Sequence, residues 1–339
     1  MRKPVVLITG AAGEIGHALI DHLVEDGAQG IITVDLRPLA PALDAKVTRA
    51  FTGSILDQAL LETIQAEYAV DRVFHLAALL STRSEFTPVA AHEVNVRGTL
   101  NLLEFATAQS RSRGEAVIFF YPSSIAAFGI PADAPTPEHG WREQDHNLPT
   151  TMYGCNKLYC EHLGRYYAKH YKQLDADAPA GGVDFRSLRF PGLISAHTVP
   201  SGGTSDYAPE MIHAAAQSRS YECFVRPDSR LPFMAMPDAV AAILALSAAP
   251  AEKLTQSVYN LAAFDPTAGE IRDLVTGAFP AADIGYMIDE KRQRIVDSWP
   301  QRVDHSAARN DWGLAPTYNL ESAFGDYLIP VITARYAPK

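Results

Sequence analysis

An apolar run over residues 4 to 9 stops at Gly10-Ala11-Ala12-Gly13-Glu14-Ile15-Gly16, and an amphipathic segment follows to about Asp26. No other stretch constrains the chain as much. A short β-branched run, a glycine-rich turn and a helical pattern in that order read as strand, tight turn and helix. Gly10 allows the turn, Gly13 lets backbone amides approach a pyrophosphate, and Gly16 lets the helix pack closely. The helix N-terminus then attracts phosphates. A second strand, Gly30 to Val34, ends at Asp35, about twenty residues after the turn, where a carboxylate can bind the adenosine ribose hydroxyls of a dinucleotide. Arg37 stands close enough to hold a 2′-phosphate instead. The carboxylate comes first and would repel such a phosphate, so the pair favours NAD over NADP.

The remaining strands follow at regular intervals. Val47 to Phe51 leads into Gly53-Ser54-Ile55-Leu56-Asp57 and a helix to about Tyr68, capped by Asp57 or Ser54. Arg72 to Leu76 is a fourth strand running into Ala77-Ala78-Leu79-Leu80-Ser81, whose small residues would let a flat cofactor lie against the backbone. A long helix is expected over 88 to 109. The fifth strand, Ala116 to Tyr121, ends at Pro122-Ser123-Ser124. Residues 130 to 150, rich in Pro and acidic residues, read as an irregular loop. A helix over 152 to 171, a Pro/Gly-bearing loop over 175 to 182 and a sixth strand, Val183 to Phe190, come next, and Val258 to Leu261 makes a seventh. Strand and helix alternate throughout, so the expected fold is α/β: a doubly wound parallel sheet with a smaller C-terminal substrate lobe. The expected boundaries are 1–190 and 234–262 for the nucleotide-binding domain, and 191–233 and 263–339 for the lobe.

Composition narrows the functional classes. With 339 residues, 47% of them hydrophobic, the chain can bury a large core. A net charge of -10, from 39 acidic and 29 basic residues, argues against nucleic acid or an anionic membrane as the main partner. Three cysteines, Cys155, Cys160 and Cys223, build no disulfide framework and have no metal-ligand spacing, so no metal is expected and the cytoplasm is the natural compartment. The start, Met-Arg-Lys-Pro, lacks the layout of a signal peptide, and the apolar run Ala239 to Ala249 is too short to span a bilayer. His75 reads as a packed strand residue rather than a ligand.

The chemistry points to Tyr153-Gly154-Cys155-Asn156-Lys157. Four residues are about one helical turn, so phenol and ammonium project from one face. A fixed positive charge beside a phenol favours the phenolate and brings a proton acceptor toward neutral pH. With fourteen Tyr in the chain, such a pair also arises by chance, and the context decides.

That context resembles a known family. Gly10-x-x-Gly13-x-x-Gly16, His75-Leu76-Ala77-Ala78, Asn95, Ser124 and Tyr153-x-x-x-Lys157 match, in order, the pattern of extended short-chain dehydrogenases/reductases over about residues 4 to 262. The resemblance implies a Rossmann domain binding NAD through Gly10, Gly13, Glu14, Ile15, Gly16, Asp35, Arg37, Ser54, Ile55, Leu76, Ala77, Ala78, Asn95, Tyr153, Lys157 and Pro191. It implies Tyr153 as the acid-base group, Lys157 as the residue that lowers its pKa and holds the nicotinamide ribose, Ser124 as the partner of the reacting hydroxyl, and Asn95 as the holder of a backbone kink and a water. It also implies a homodimer built from the helices after strands four and five.

Within that family the chain is most similar to the short-chain type of L-threonine 3-dehydrogenase. The likeness is carried by Ala78-Leu79-Leu80-Ser81, by 188–195, by Gly202-Gly203-Thr204-Ser205-Asp206-Tyr207-Ala208, by 231–238, and by Asp297-Ser298-Trp299-Pro300 with 308–313. Ser81 and Thr204 are expected to bind a substrate carboxylate and Asp206 to attract an ammonium. Segments 107–115, 131–148 and 174–182 are longer than in those enzymes. The rival readings are a nucleotide-sugar epimerase/dehydratase, a sugar-acid dehydrogenase and a non-catalytic NAD sensor. Pro191-Gly192 after the sixth strand donates little to a sugar diphosphate. A sensor needs no activated phenol.

Overall fold

A computed structural model describes residues 4–28, 30–175, 182–200 and 202–337. The loop expected over 175 to 182 falls mostly on 176–181, outside the described residues. In chain order the elements begin with β1 (Pro4–Thr9), α1 (Glu14–Glu25), β2 (Ile31–Asp35), α2 (Pro41–Asp44), β3 (Arg49–Thr52), α3 (Gln58–Glu67), β4 (Ala69–His75), α4 (Ser81–Phe86) and α5 (Pro88–His92). A π turn at Glu93–Arg97 precedes α6 (Gly98–Arg113), followed by β5 (Val117–Ser124), α7 (Met152–Lys169), β6 (Val183–Phe190), β7 (Gly192–Ile194), α8 (Tyr207–Ala216), β8 (Tyr221–Cys223) and β9 (Phe233–Ala235). The rest comprises α9 (Met236–Ala248), β10 (Val258–Asn260), α10 (Ala268–Ala278), β11 (Ile284–Tyr286), α11 (Glu290–Asp297), α12 (Ser306–Trp312), α13 (Leu320–Ser322), a second π turn (Ala323–Leu328) and α14 (Ile329–Tyr336).

Seven strands form one sheet in the order β3-β2-β1-β4-β5-β6-β10. The ladders β1–β2, β2–β3, β1–β4 and β4–β5 are all parallel. The order reverses between β1 and β4. At such a switch point the connections on either side leave in opposite directions and open a crevice outside the strands' carboxyl ends, the place where ligands of open α/β sheets bind. All seven strands expected from the sequence are present.

The chain divides into two compact units. The first comprises 1–123, 155–188 and 243–258, and the second 124–154, 189–242 and 259–339. In the first unit, Leu7, Val34, Val73 and Phe119 from the strands meet Leu102, Leu103 and Phe105 from α6 in one core. Helix α1 buries Gly16, Leu19, Ile20 and Leu23, the stripe that a 3.6-residue period predicts. Helix α6 is buried over much of its circumference and ends at Gly114, whose φ of 77° suits a left-handed cap.

The second unit has its own core, with Ile194, Tyr207, Met211, Phe233, Phe264 and Phe324 among its buried members. Two small parallel pairs, β7–β9 and β8–β11, lie in it. A capping box of Thr267 and Glu270 starts α10, and the Asp289 carboxylate caps α11. Residues 130–150 carry no helix or ladder strand beyond an isolated bridge from Trp141 to Val303. Among the described residues no helix is long and apolar enough to cross a membrane.

Candidate active site

The first unit carries the dinucleotide signature at the switch point. Gly10 has φ of 71°, and a Cβ there would lie 2.6 Å from the Ala77 nitrogen. The exits of β1 and β4 therefore touch through bare backbone. A Cβ on Gly13 would sit 3.1 Å from the Gly10 carbonyl oxygen, and one on Gly16 would lie 2.5 Å from the Ala11 carbonyl oxygen. Gly13 is the N-cap of α1 and brings no side-chain acceptor, so no side chain of the cap engages the helix's first amides. Glu14 and Ile15 form the first turn of the helix.

Asp35, at the end of β2, bends back to this turn. Its Oδ2 accepts from the Ala12 amide at 2.9 Å and its Oδ1 from the Arg37 amide at 3.0 Å. The Arg37 guanidinium donates to the Ala12 carbonyl at 3.3 Å. An ionised carboxylate has about four acceptor positions, so each oxygen can still receive a ribose hydroxyl. Together the bare glycine turn, the cap without a side-chain acceptor and the anchored carboxylate fit a dinucleotide.

On the same side of the sheet, Ser54 accepts from the Leu56 amide at 3.1 Å, which makes it a loop cap. Ile55 is buried, and its carbonyl accepts from Asn101 at 3.1 Å. After β4, the Leu76 amide donates to the Thr9 carbonyl at 3.0 Å. Asn95, 2% exposed within the π turn, clamps Leu79 by accepting from its amide at 2.8 Å and donating to its carbonyl at 3.1 Å. The same amide group donates to Asn156 at 3.3 Å. Ser81 opens α4. His75 bonds Thr9 at 2.8 Å and Thr99 at 2.9 Å, and burial lowers its pKa to about 3, with Lys157 adding to the shift. It is a neutral packed residue.

Lys157 is 2% exposed. Its ammonium donates to the Pro122 carbonyl at 2.6 Å and lies 4.7 Å from the centre of the Tyr121 ring. Desolvation lowers its pKa to about 8, opposed by Cys160 and Glu161.

In the second unit, Ser124 ends β5, and its hydroxyl accepts from the Ala126 amide at 3.1 Å, capping a short 3-10 turn over Ile125–Ala127. Tyr153 is the second residue of α7. Its side chain is partly exposed, yet desolvation at the hydroxyl raises the phenol above its ordinary value. That direction is opposite to the lowering expected from the Tyr-Lys spacing. Burial removes the water that would solvate a phenolate, and desolvation is the cause of the rise. Pro191 is buried between β6 and β7. Thr204 is buried. Asp206 accepts from the Gly203 amide at 2.7 Å, so one of its oxygens already serves the turn before α8.

Several residues that pack against or bond to these candidates were missed by sequence reasoning. Gly154 is required because a Cβ there would fall 2.0 Å from the Ala126 carbonyl oxygen, and Thr151 caps its amide at 3.1 Å. Asn156 partners Asn95, and Glu161 accepts from Ser123 at 2.5 Å. A glycine following the tyrosine and a hydroxyl three residues before it were the available signals. Among the described residues no group of three or more His, Cys, Asp or Glu is placed to hold a metal ion.

A model of the NAD dependent epimerase/dehydratase family matches residues 6–262. The chain is 36% identical over 318 residues to the mitochondrial L-threonine 3-dehydrogenase of Bos taurus, covering 93% of this chain and 79% of that one. Among solved structures it resembles an L-threonine dehydrogenase from Cupriavidus necator in its holo form, with a TM-score of 0.84 and 36% identity over 98% of this chain and 100% of that one. A monomeric L-threonine 3-dehydrogenase of metagenomic origin, in its apo form, also has a TM-score of 0.84, with 34% identity over 98% of this chain and 100% of that one.

Proposed function

The chain belongs to the NAD dependent epimerase/dehydratase family, and on that premise we propose that it oxidises the β-hydroxyl of L-threonine to 2-amino-3-oxobutanoate. The observation that carries the substrate choice is coverage. The likeness to L-threonine dehydrogenases extends over 98% of the chain, so it includes the variable segments that select substrate as well as the sheet. Bound at the glycine turn, a nicotinamide cofactor supplies the acceptor for the hydride. The NAD form is favoured by Asp35, whose carboxylate faces the turn and would repel a 2′-phosphate.

The protein's own groups do the rest. Tyr153 takes the hydroxyl proton, Ser124 hydrogen-bonds the reacting oxygen, and Lys157 holds the nicotinamide ribose and stabilises the phenolate by its charge. Desolvation at Tyr153 works against the phenolate. The reading therefore requires the Lys157 ammonium, not the tyrosine alone. Ser81 and Thr204 bind the carboxylate and Asp206 attracts the ammonium. The first compact unit serves the cofactor and the second selects the substrate. The three free cysteines suit a reducing, cytoplasmic setting.

The test is NADH formation against L-threonine, L-serine, sugar acids and UDP-sugars. L-Threonine is expected to give the highest kcat/KM. A UDP-sugar preferred over L-threonine would replace this reading with the epimerase one. Tyr153→Phe should lower turnover by at least about 100-fold, the scale of a lost general base, and undiminished turnover would exclude the mechanism.

A further inference from the structure

Two side chains one helical turn apart on α7 are both almost fully buried: Lys157 at 2% and Glu161 at 4% exposure. Consecutive residues of β5 hold them. The Pro122 carbonyl accepts from the Lys157 ammonium at 2.6 Å, and the Ser123 hydroxyl donates to Glu161 Oε1 at 2.5 Å. A carboxylate this deep has lost its hydration, a cost that a charge or hydrogen bonds must offset. The structure supplies both, a hydroxyl donor and, at helical i, i+4 spacing, an ammonium.

We propose that Glu161, oriented by Ser123, is a positioning residue that keeps Lys157 in its ammonium form within a water-excluded site. This rests on the reading of Lys157 as the residue that stabilises the Tyr153 phenolate and holds the nicotinamide ribose. His75 and Cys160, two titratable groups that act on or beside this ammonium, are uncharged at neutral pH. His75, on β4, is neutral and shared between Thr9 and Thr99. Cys160, three residues along α7, donates its thiol to the Asn95 carbonyl at 3.3 Å, and burial pushes that thiol up. Tyr121, on β5, presents its ring face. From the π turn and α6 come Asn95 and Thr99, both uncharged.

Without a compensating carboxylate, desolvation would discharge Lys157 at a lower pH still. Cys160, when ionised, and Glu161 both act in the opposing direction; burial holds the Cys160 thiol protonated at neutral pH, which leaves the carboxylate as the standing charge. A neutral amine could accept or donate a hydrogen bond, but it could not favour a phenolate. The carboxylate thus acts on the reaction through the lysine, without touching substrate or cofactor.

The experiment measures Lys157 directly. The chain has eight lysines, so NMR titration of isotope-labelled lysine methylenes in the full-length protein resolves the buried one, identified by its loss in Lys157→Arg. Glu161→Gln keeps the shape and the acceptor for Ser123 and removes only the charge. Its Lys157 midpoint should fall by about one pH unit or more, a tenfold loss of proton affinity. Glu161→Asp should restore part of it. Ser123→Ala, which withdraws the donor that holds the carboxylate in place beside Lys157, should lower the midpoint by a smaller amount and serves if Glu161→Gln does not fold. An unchanged Lys157 midpoint in Glu161→Gln, or in Ser123→Ala where that variant stands in, overturns the proposal whatever the activity. A failure of the L-threonine assay leaves the titration interpretable, so the two readings fail separately.

Discussion

At the scale of single residues, Asp35 and His75 show how one side chain sets a measurable property. Asp35 is held toward the glycine turn by two backbone amides. Removing its charge in Asp35→Ser should cost about 1.5–3 kcal/mol of charged hydrogen bonding to a ribose, a ten- to hundredfold weaker NADH affinity. NADPH should weaken less or gain, because Arg37 remains. Fluorescence titration with both cofactors reads the outcome, and an unchanged preference would remove Asp35 from the cofactor site. His75 has a folded pKa of about 3 against 6.5 unfolded. The folded state therefore binds fewer protons between those values. Stability is complete above pH 6.5 and falls as pH drops toward 3. By pH 5 the loss should be about 2 kcal/mol, and His75→Gln should flatten that part of a urea-unfolding pH profile. Asp35 was legible from its spacing to the turn. The need for Gly154 was not, because it depends on the Ala126 carbonyl, brought to 2.0 Å of an added Cβ only by the fold.

At the scale of elements, the helix expected over 88 to 109 is three pieces: α5, a π turn and α6. The π turn adds a residue to the helical circuit and marks where Asn95 leaves the regular ladder to reach Leu79. The apolar period over this stretch reports a buried helix but carries no mark of the extra residue. The resemblance to the family, not periodicity, implied a kink at Asn95. Asn95→Ala removes three hydrogen bonds and strands the Leu79 backbone groups, which should destabilise by about 2–4 kcal/mol. A shift in the urea midpoint with an unchanged slope would record it. Loss below about 0.5 kcal/mol would mean that water replaces the clamp.

At the scale of the whole molecule, the family resemblance implies a homodimer through α6 and α7. Tyr159 and Tyr166 on α7 are 53% and 39% exposed, which leaves aromatic surface for a second copy to cover. Light scattering at micromolar concentration should return twice the chain mass, and a single-chain mass would exclude that arrangement. By itself the sequence determined the seven-stranded alternation, the glycine turn, the Asp35 carboxylate and the order of Ser124, Tyr153 and Lys157. All of these rest on local periods and fixed spacings that neighbouring residues impose. It did not disclose β7, β8, β9 or β11, each three residues long and too short for a period to register. Nor could it give the electrostatics of the site. Whether burial raises the Tyr153 phenol or lowers the Lys157 ammonium depends on which distant segments exclude water from them. The pairing of Ser123 with Glu161, thirty-eight residues apart, exists only because β5 and α7 pack together. Tertiary structure decided those charges, since desolvation is a property of the packed interior and not of the chain.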